Sequence, residues 1–231
     1  MLLEGGKAVA DALAGGIRAR AVIMAEKSPP LPGSAGLAAG VPVYEVPERL
    51  YAAITQVPSP QGIMLVAEPP FAGIGEVLAR GFILVADRVQ DPGNLGSLLR
   101  AARAFGIEGV VATEGTADPS SHKALRAAAG TWPGVAFAPG ADPARLAAEL
   151  KAGGFRTVVG DPGSGLDFRE DLWRGRVALV VGSEGTGASG AFAAAGAVAV
   201  RIPLLRGVES LNVTAAAAVL LAEAARRRTL G

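Results

Sequence analysis

The chain has 231 residues, no cysteine, one histidine and a formal net charge of +1. Without cysteine, disulfides and thiolate chemistry are excluded, and His122 alone cannot build a histidine-based metal site. The acids show no metal-ligand spacing, so no metal is expected. Half the residues are apolar, yet no run reaches the roughly 18 to 20 residues a membrane helix needs. The near-neutral charge leaves any nucleic-acid surface to local patches of Arg and Lys.

The N-terminal stretch carries Glu4, Lys7 and Asp11 among small residues, without the basic segment and apolar run of a signal peptide, so a cytoplasmic location is expected. From Leu3 to about Val66 a helix pattern at Gly6 to Leu13 precedes a short apolar strand at Ala21 to Met24 and a Pro/Gly/Ser-rich loop. A second strand at Val41 to Tyr44, a helix near Pro47 to Ile54 and a strand at Gly62 to Ala67 follow, the alternation of a small α/β unit. Glu68 to Gly75, with two prolines and two glycines, breaks both periodicities and reads as a linker. The expected division is residues 1–68, a linker over 69–78 and a larger domain over 79–231.

In the larger part, apolar runs at Phe82 to Ala86, Gly109 to Ala112, Val135 to Phe137, Thr157 to Val159, Val177 to Val181 and Val198 to Ile202 read as strands. Between and after them, Gly96 to Phe105, Ser120 to Ala129, Pro143 to Ala152 and Val213 to Arg228 read as helices. Continuous apolar strands separated by helices predict an α/β fold with a parallel sheet covered on both faces.

Ligands of such sheets bind at the carboxyl ends of the strands, and three turns there are unusual. Asp87 to Gly96 contains Pro92-Gly93-Asn94 and leads into a helix bearing Arg100 and Arg103; Asn94 on its own would be that helix's N-cap. Gly182-Ser183-Glu184-Gly185-Thr186-Gly187 offers close backbone approach, but it is neither a dinucleotide fingerprint nor a P-loop. Ile202 to Asn212 enters an alanine-rich helix that Ser210 or Asn212 would cap. Each turn alone is ordinary; three at successive strand ends converge on one cleft.

Asn94-x-Gly96-x-x-x-Arg100, Gly182-Ser183-Glu184-Gly185-x-Gly187, and Ile202-Pro203 with Ser210-Leu211-Asn212-Val213 resemble the three motifs of the SpoU (TrmH-type) branch of the SPOUT RNA methyltransferases. Glu4-Gly5, Val9, Ala12-Leu13 and Gln61-Gly62-Ile63 resemble the small L30e-like RNA substrate-binding domain that precedes many members. The resemblance implies a knotted α/β domain, a homodimer, an RNA partner and S-adenosylmethionine as cofactor. It places the cofactor against Gly182, Ser183, Ile202, Leu204, Leu211 and Asn212, with Thr113 and Gly160 at neighbouring strand ends. It places Arg100 at the catalytic centre beside Asn94, Glu184, Ser210 and Asn212, for methylation of a ribose 2′-hydroxyl. Ribosomal RNA is the expected substrate, with transfer RNA the alternative.

The sequence departs from the family where a methionine and a glycine usually stand, at Leu204 and Arg206, and where a proline usually precedes Lys123, at His122. Lys123, Arg126, Arg88, Arg103 and Arg206 are the cations expected to meet RNA phosphates. A non-catalytic RNA- or S-adenosylmethionine-binding protein on the same fold is the rival; it has no need of Asn94, Arg100, Glu184 and Asn212 together. A nucleotide-dependent dehydrogenase would need the missing fingerprint.

Overall fold

The computed structural model describes residues 1–163, 165–205 and 207–229. The first part holds β1 (Leu2–Glu4), α1 (Gly6–Ala14), β2 (Ala19–Ala25), β3 (Val43–Val46), α2 (Glu48–Ile54) and β4 (Ile63–Ala67). Its sheet has the order β1-β4-β2-β3, with β3 parallel to β2 and the other pairs antiparallel. β1 was not expected, and β3 lies two residues beyond the strand read at Val41 to Tyr44. Three residues are too few for periodicity to register.

α3 (Ile74–Leu78), β5 (Phe82–Asp87), α4 (Pro92–Ala104), β6 (Gly109–Thr113), α5 (His122–Ala128), β7 (Ala136–Ala141), α6 (Pro143–Ala152) and β8 (Arg156–Gly160) come next. β9 (Leu166–Asp167), β10 (Val177–Gly182), α7 (Gly190–Ala194), β11 (Val198–Arg201) and α8 (Val213–Thr229) complete the chain. The second sheet is wholly parallel with the order β7-β6-β5-β10-β8-β11-β9. β10 enters between β5 and β8 after both are laid down, and β11 enters between β8 and β9.

Alternate residues of β5 serve opposite faces, as a pleated strand requires. Phe82 and Leu84 pack with Leu95, Leu98 and Leu99 of α4, Leu125 of α5 and Leu220 of α8. Ile83 and Val85 pack with Val77 of α3, Leu146 and Leu150 of α6 and Phe192 of α7. This is the two-faced covering expected of a parallel sheet.

The segment read as a linker touches the second sheet. Phe71 bridges Phe137 of β7, the Ala72 N–H donates to the Phe137 carbonyl at 2.8 Å, and the Phe71 ring lies 5.7 Å from that of Trp132. Its prolines and glycines break periodicity without preventing these contacts, although Phe71 itself stays 47% exposed. Among the described residues no helix is long and apolar enough to cross a membrane.

Candidate cofactor and catalytic site

β5 ends at Asp87, which is completely buried. Its Oδ1 accepts from the Thr113 hydroxyl at 2.7 Å, and its Oδ2 accepts from the Ser189 N–H at 2.5 Å. Arg88 follows with a left-handed φ of 56°, a conformation that costs a non-glycine residue on the order of 1 kcal/mol. The helix begins earlier than the motif suggests, because Asp91 and not Asn94 is the N-cap. Asp91 Oδ1 accepts from the Asn94 N–H at 2.9 Å, and Pro92 fills the first helical position, where its missing N–H costs nothing. Lys123 of α5 pairs with the other Asp91 oxygen. That ammonium and the Asn94 N–H hold the Asp91 carboxyl below the usual carboxylate range.

Freed from capping, the Asn94 side chain is a cross-loop connector. Its Nδ2 donates to Glu184 Oε1 at 2.5 Å. Asn212 Nδ2 donates to the same Glu184 oxygen at 3.1 Å and to Asn94 Oδ1 at 3.2 Å. Asn212 Oδ1 accepts from the Thr214 N–H at 2.9 Å and so caps α8, one of the two candidates for that cap. The turn after β5, the turn after β10 and the approach to α8 therefore meet in one triangle of side chains.

The second turn is closed on itself. The Gly187 N–H donates to the Ser183 carbonyl at 2.9 Å, and the hydroxyls of Ser183 and Thr186 are 2.8 Å apart. A Cβ on Gly182 would stand 2.1 Å from the backbone nitrogen of Ala188, so only glycine lets the chain fold back at this point.

Behind these turns lies a cavity of about 720 Å³. Gly160, Gly182, Ser183, Glu184, Ile202, Leu204, Ser210, Leu211 and Asn212 all line it. Ile202, Leu204 and Leu211 supply apolar wall, joined by Ala216 and Leu220 of α8. The carboxylates of Asp161, Glu184 and Glu209 line it too, and no Lys, Arg or His does so among the described residues.

Three residues expected at the site stand elsewhere. Asn94 lies one hydrogen bond outside the cavity lining. Thr113 is buried and accepts from the Arg88 N–H at 3.0 Å while donating to Asp87, so it holds a strand end and does not face the cavity. Arg100 is six residues past Asn94 on α4, which sets it about 9 Å along the axis and on another side of the helix. It is exposed and forms no side-chain hydrogen bond or ion pair among the described residues.

Of the expected phosphate-binding cations, Arg126 is also exposed on α5 without such a partner. Lys123 is engaged by Asp91. Arg103 stacks its guanidinium over Gly134, where a Cβ would collide with Nη1, and reaches the Thr131 carbonyl at 3.5 Å. Arg88 Nη2 donates to the Gly187 carbonyl at 3.4 Å. Arg206 lies outside the described residues.

The sequence reading missed Asp87, Ser189, Asp161 and the α8 floor. Asp161 sits one residue past Gly160 at the end of β8, so the strand-end rule that found Gly160 could have found it. Asp87 opens the first turn, but nothing local announces that its carboxylate is buried.

A wholly parallel sheet with a cavity beyond its carboxyl ends defines an α/β protein of the doubly covered class, with its candidate ligand site where such sheets carry one. The profile of the SpoU rRNA Methylase family matches residues 81–222, and that of the MRM3-like substrate binding domain matches residues 1–65. The chain belongs to the SpoU rRNA methylase family. It is 35% identical over 185 residues to the 23S rRNA (guanosine(2553)-2′-O)-methyltransferase RlmP of Bacillus subtilis, covering 80% of this chain and 73% of that protein. The SpoU methyltransferase AviRb of Streptomyces viridochromogenes, crystallised with the cofactor AdoMet, shares the fold at a TM-score of 0.88 and 23% identity, over 100% of this chain and 91% of that one. The AdoMet-bound rRNA methyltransferase of Sinorhizobium meliloti matches at a TM-score of 0.83 and 27% identity, over 100% and 87%. The sheet architecture expected of the SPOUT class is the one observed.

Proposed function

We propose that this protein methylates a ribose 2′-hydroxyl of ribosomal RNA in the cytoplasm, with S-adenosylmethionine as methyl donor and as a homodimer. The observation that carries the reading is the Asn94–Glu184–Asn212 triangle, which joins all three motif turns at the wall of one cavity. A plain binding protein has no need of that closure.

The cavity fits the cofactor. Ile202, Leu204 and Leu211 offer apolar walls for a nucleobase, and the glycine turn exposes backbone groups for its polar edge. Asp161, Glu184 and Glu209, with no cation lining the cavity among the described residues, suit a ligand that carries positive charge. Bound there, S-adenosylmethionine would supply an electrophilic methyl group. Ser210 and Asn212 line the same wall and would orient the incoming ribose.

Arg100 cannot serve as a general base, since a guanidinium stays protonated in proteins. Exposed and without a hydrogen-bond or ion-pair partner among the described residues, it is available to an RNA phosphate, where its charge would lower the pKa of the neighbouring hydroxyl. Arg126, exposed and without a partner among the described residues, offers a second cation on the neighbouring helix; Lys123, Arg103 and Arg88 are bound to the protein itself. The exposed apolar side chains of Leu205 and Val208, at 80% and 53% exposure, give the third turn surface for a second copy to cover.

The test is transfer of labelled methyl from S-adenosylmethionine to unmodified ribosomal and transfer RNA in separate reactions. Labelling of ribosomal RNA is expected, with a loss on the order of 100-fold in Arg100→Ala, the scale of one well-placed electrostatic contact. Labelling of transfer RNA alone would change the substrate class. Full activity in Arg100→Lys would refute a bidentate phosphate contact, which an ammonium cannot reproduce.

A further inference from the structure

We infer that Asp87 and Arg88 are positioning residues for cofactor binding: together they anchor the far end of the Gly182–Gly187 turn and thereby fix the cavity wall. The inference rests on the cavity being the S-adenosylmethionine site. It removes Arg88 from the RNA-facing cations.

Asp87 is a completely buried carboxylate with no role in the Asn94–Glu184–Asn212 triangle. A buried charge is costly unless hydrogen-bonded, and this one is held from the end of β6 and from the N-cap of α7. Thr113, at the end of β6, donates its hydroxyl to Oδ1 at 2.7 Å, and Ser189, just past the glycine turn, donates its N–H to Oδ2 at 2.5 Å. Arg88 Nε stands 3.7 Å from Oδ2. From the same residue Nη2 reaches the Gly187 carbonyl at 3.4 Å. The turn is thus tied at Gly187 by the guanidinium and at Ser189 by the carboxylate, while Glu184 near its tip is tied by Asn94 and Asn212.

The backbone shows what this arrangement demands. Arg88 adopts a φ of 56°, a region where glycine is the residue of least cost. Its N–H donates to Thr113 Oγ1 at 3.0 Å, which fixes that conformation. An arginine kept where glycine would be easier points to a task for its side chain, and the atom it reaches is on the turn that lines the cavity. Gly182, Ser183, Glu184, Gly187 and Ser189 all line that cavity, so a slack turn would blur the wall that meets the cofactor.

Two variants separate this role from a general structural one. Asp87→Asn keeps size and one acceptor oxygen but puts an amide where an oxygen now accepts. Arg88→Gly removes the anchor while easing the left-handed backbone, and that relief offsets part of the lost contacts and added chain entropy, so its unfolding temperature is expected within a few degrees of that of the wild type. Calorimetric titration of the full chain with S-adenosylmethionine should show affinity weakened about tenfold or more in both, the scale of losing a hydrogen bond to a charged group. In methyl-transfer kinetics the KM for S-adenosylmethionine should rise, while kcat at saturating cofactor and the KM for RNA stay within about threefold. Should Asp87→Asn fail to fold, Arg88→Gly decides alone.

Wild-type cofactor affinity in Arg88→Gly would overturn the inference, as would a raised KM for RNA with an unchanged cofactor constant, which would make Arg88 a phosphate contact. A wild-type chain that bound no S-adenosylmethionine would overturn the cofactor reading and this inference with it.

Discussion

Asn212 does two things that substitution can separate. Its carbonyl oxygen caps α8, and its amide nitrogen bonds Glu184 and Asn94. Asn212→Asp keeps an acceptor for the helix cap, a position where aspartate serves as well as asparagine. It also sets a second carboxylate against Glu184 where an amide used to donate. Its thermal unfolding should stay within a few degrees of the wild type, while methyl transfer falls by roughly tenfold or more, the worth of a broken charged hydrogen bond. Asn212→Ala would lose both, at about 1 kcal/mol for the cap. Equal loss of stability in the two variants would show that the amide contacts hold the fold instead of the site. Asn94 carries the complementary lesson. Asp91-Pro92 is the stronger start signal, with a capping carboxylate followed by a first-position proline, and weighing it over Asn94 would have released the Asn94 side chain for the site from sequence alone.

At the scale of elements, the α4–α5 pair sets where the first motif stands. Gly96 lies at their closest approach, where a Cβ would come 2.1 Å from the Ala124 carbonyl oxygen and 2.8 Å from the Ala127 Cβ. The glycine in the motif is thus a packing residue. Gly96→Ala should push the helices apart and cost about 1–3 kcal/mol, as overpacking does, read as a lowered midpoint in urea unfolding. The same shift would move Asn94 away from Glu184, so activity should fall further than stability alone explains. Unchanged stability would mean that α5 yields freely. Most long helices and apolar strands could be read from periodicity, α6 to the residue. The exceptions are short pieces: β1, β9, α3 and α7 span at most five residues each, too few for a repeat to register.

For the whole molecule, the three turns were legible through their resemblance to family motifs before any neighbour relation was. Their resemblance to the SpoU motifs grouped Gly182, Ser183, Glu184, Leu211 and Asn212, and the structure brings them to one cavity. The strand order was not legible, because an apolar run says that a strand is buried on both faces but not which strands lie beside it. That order joins Asp87 to Ser189 across β5 and β10, and it explains why Thr113 serves a strand end while Gly160, also at the end of a strand, lines the cavity. The most direct test of the central claim is the position of the transferred methyl. RNA methylated by this protein with labelled S-adenosylmethionine should yield, after complete alkaline hydrolysis, a labelled dinucleotide, because a blocked 2′-oxygen cannot attack its own phosphodiester. Label found only in mononucleotides would place the methyl on a base and contradict 2′-O-ribose methylation.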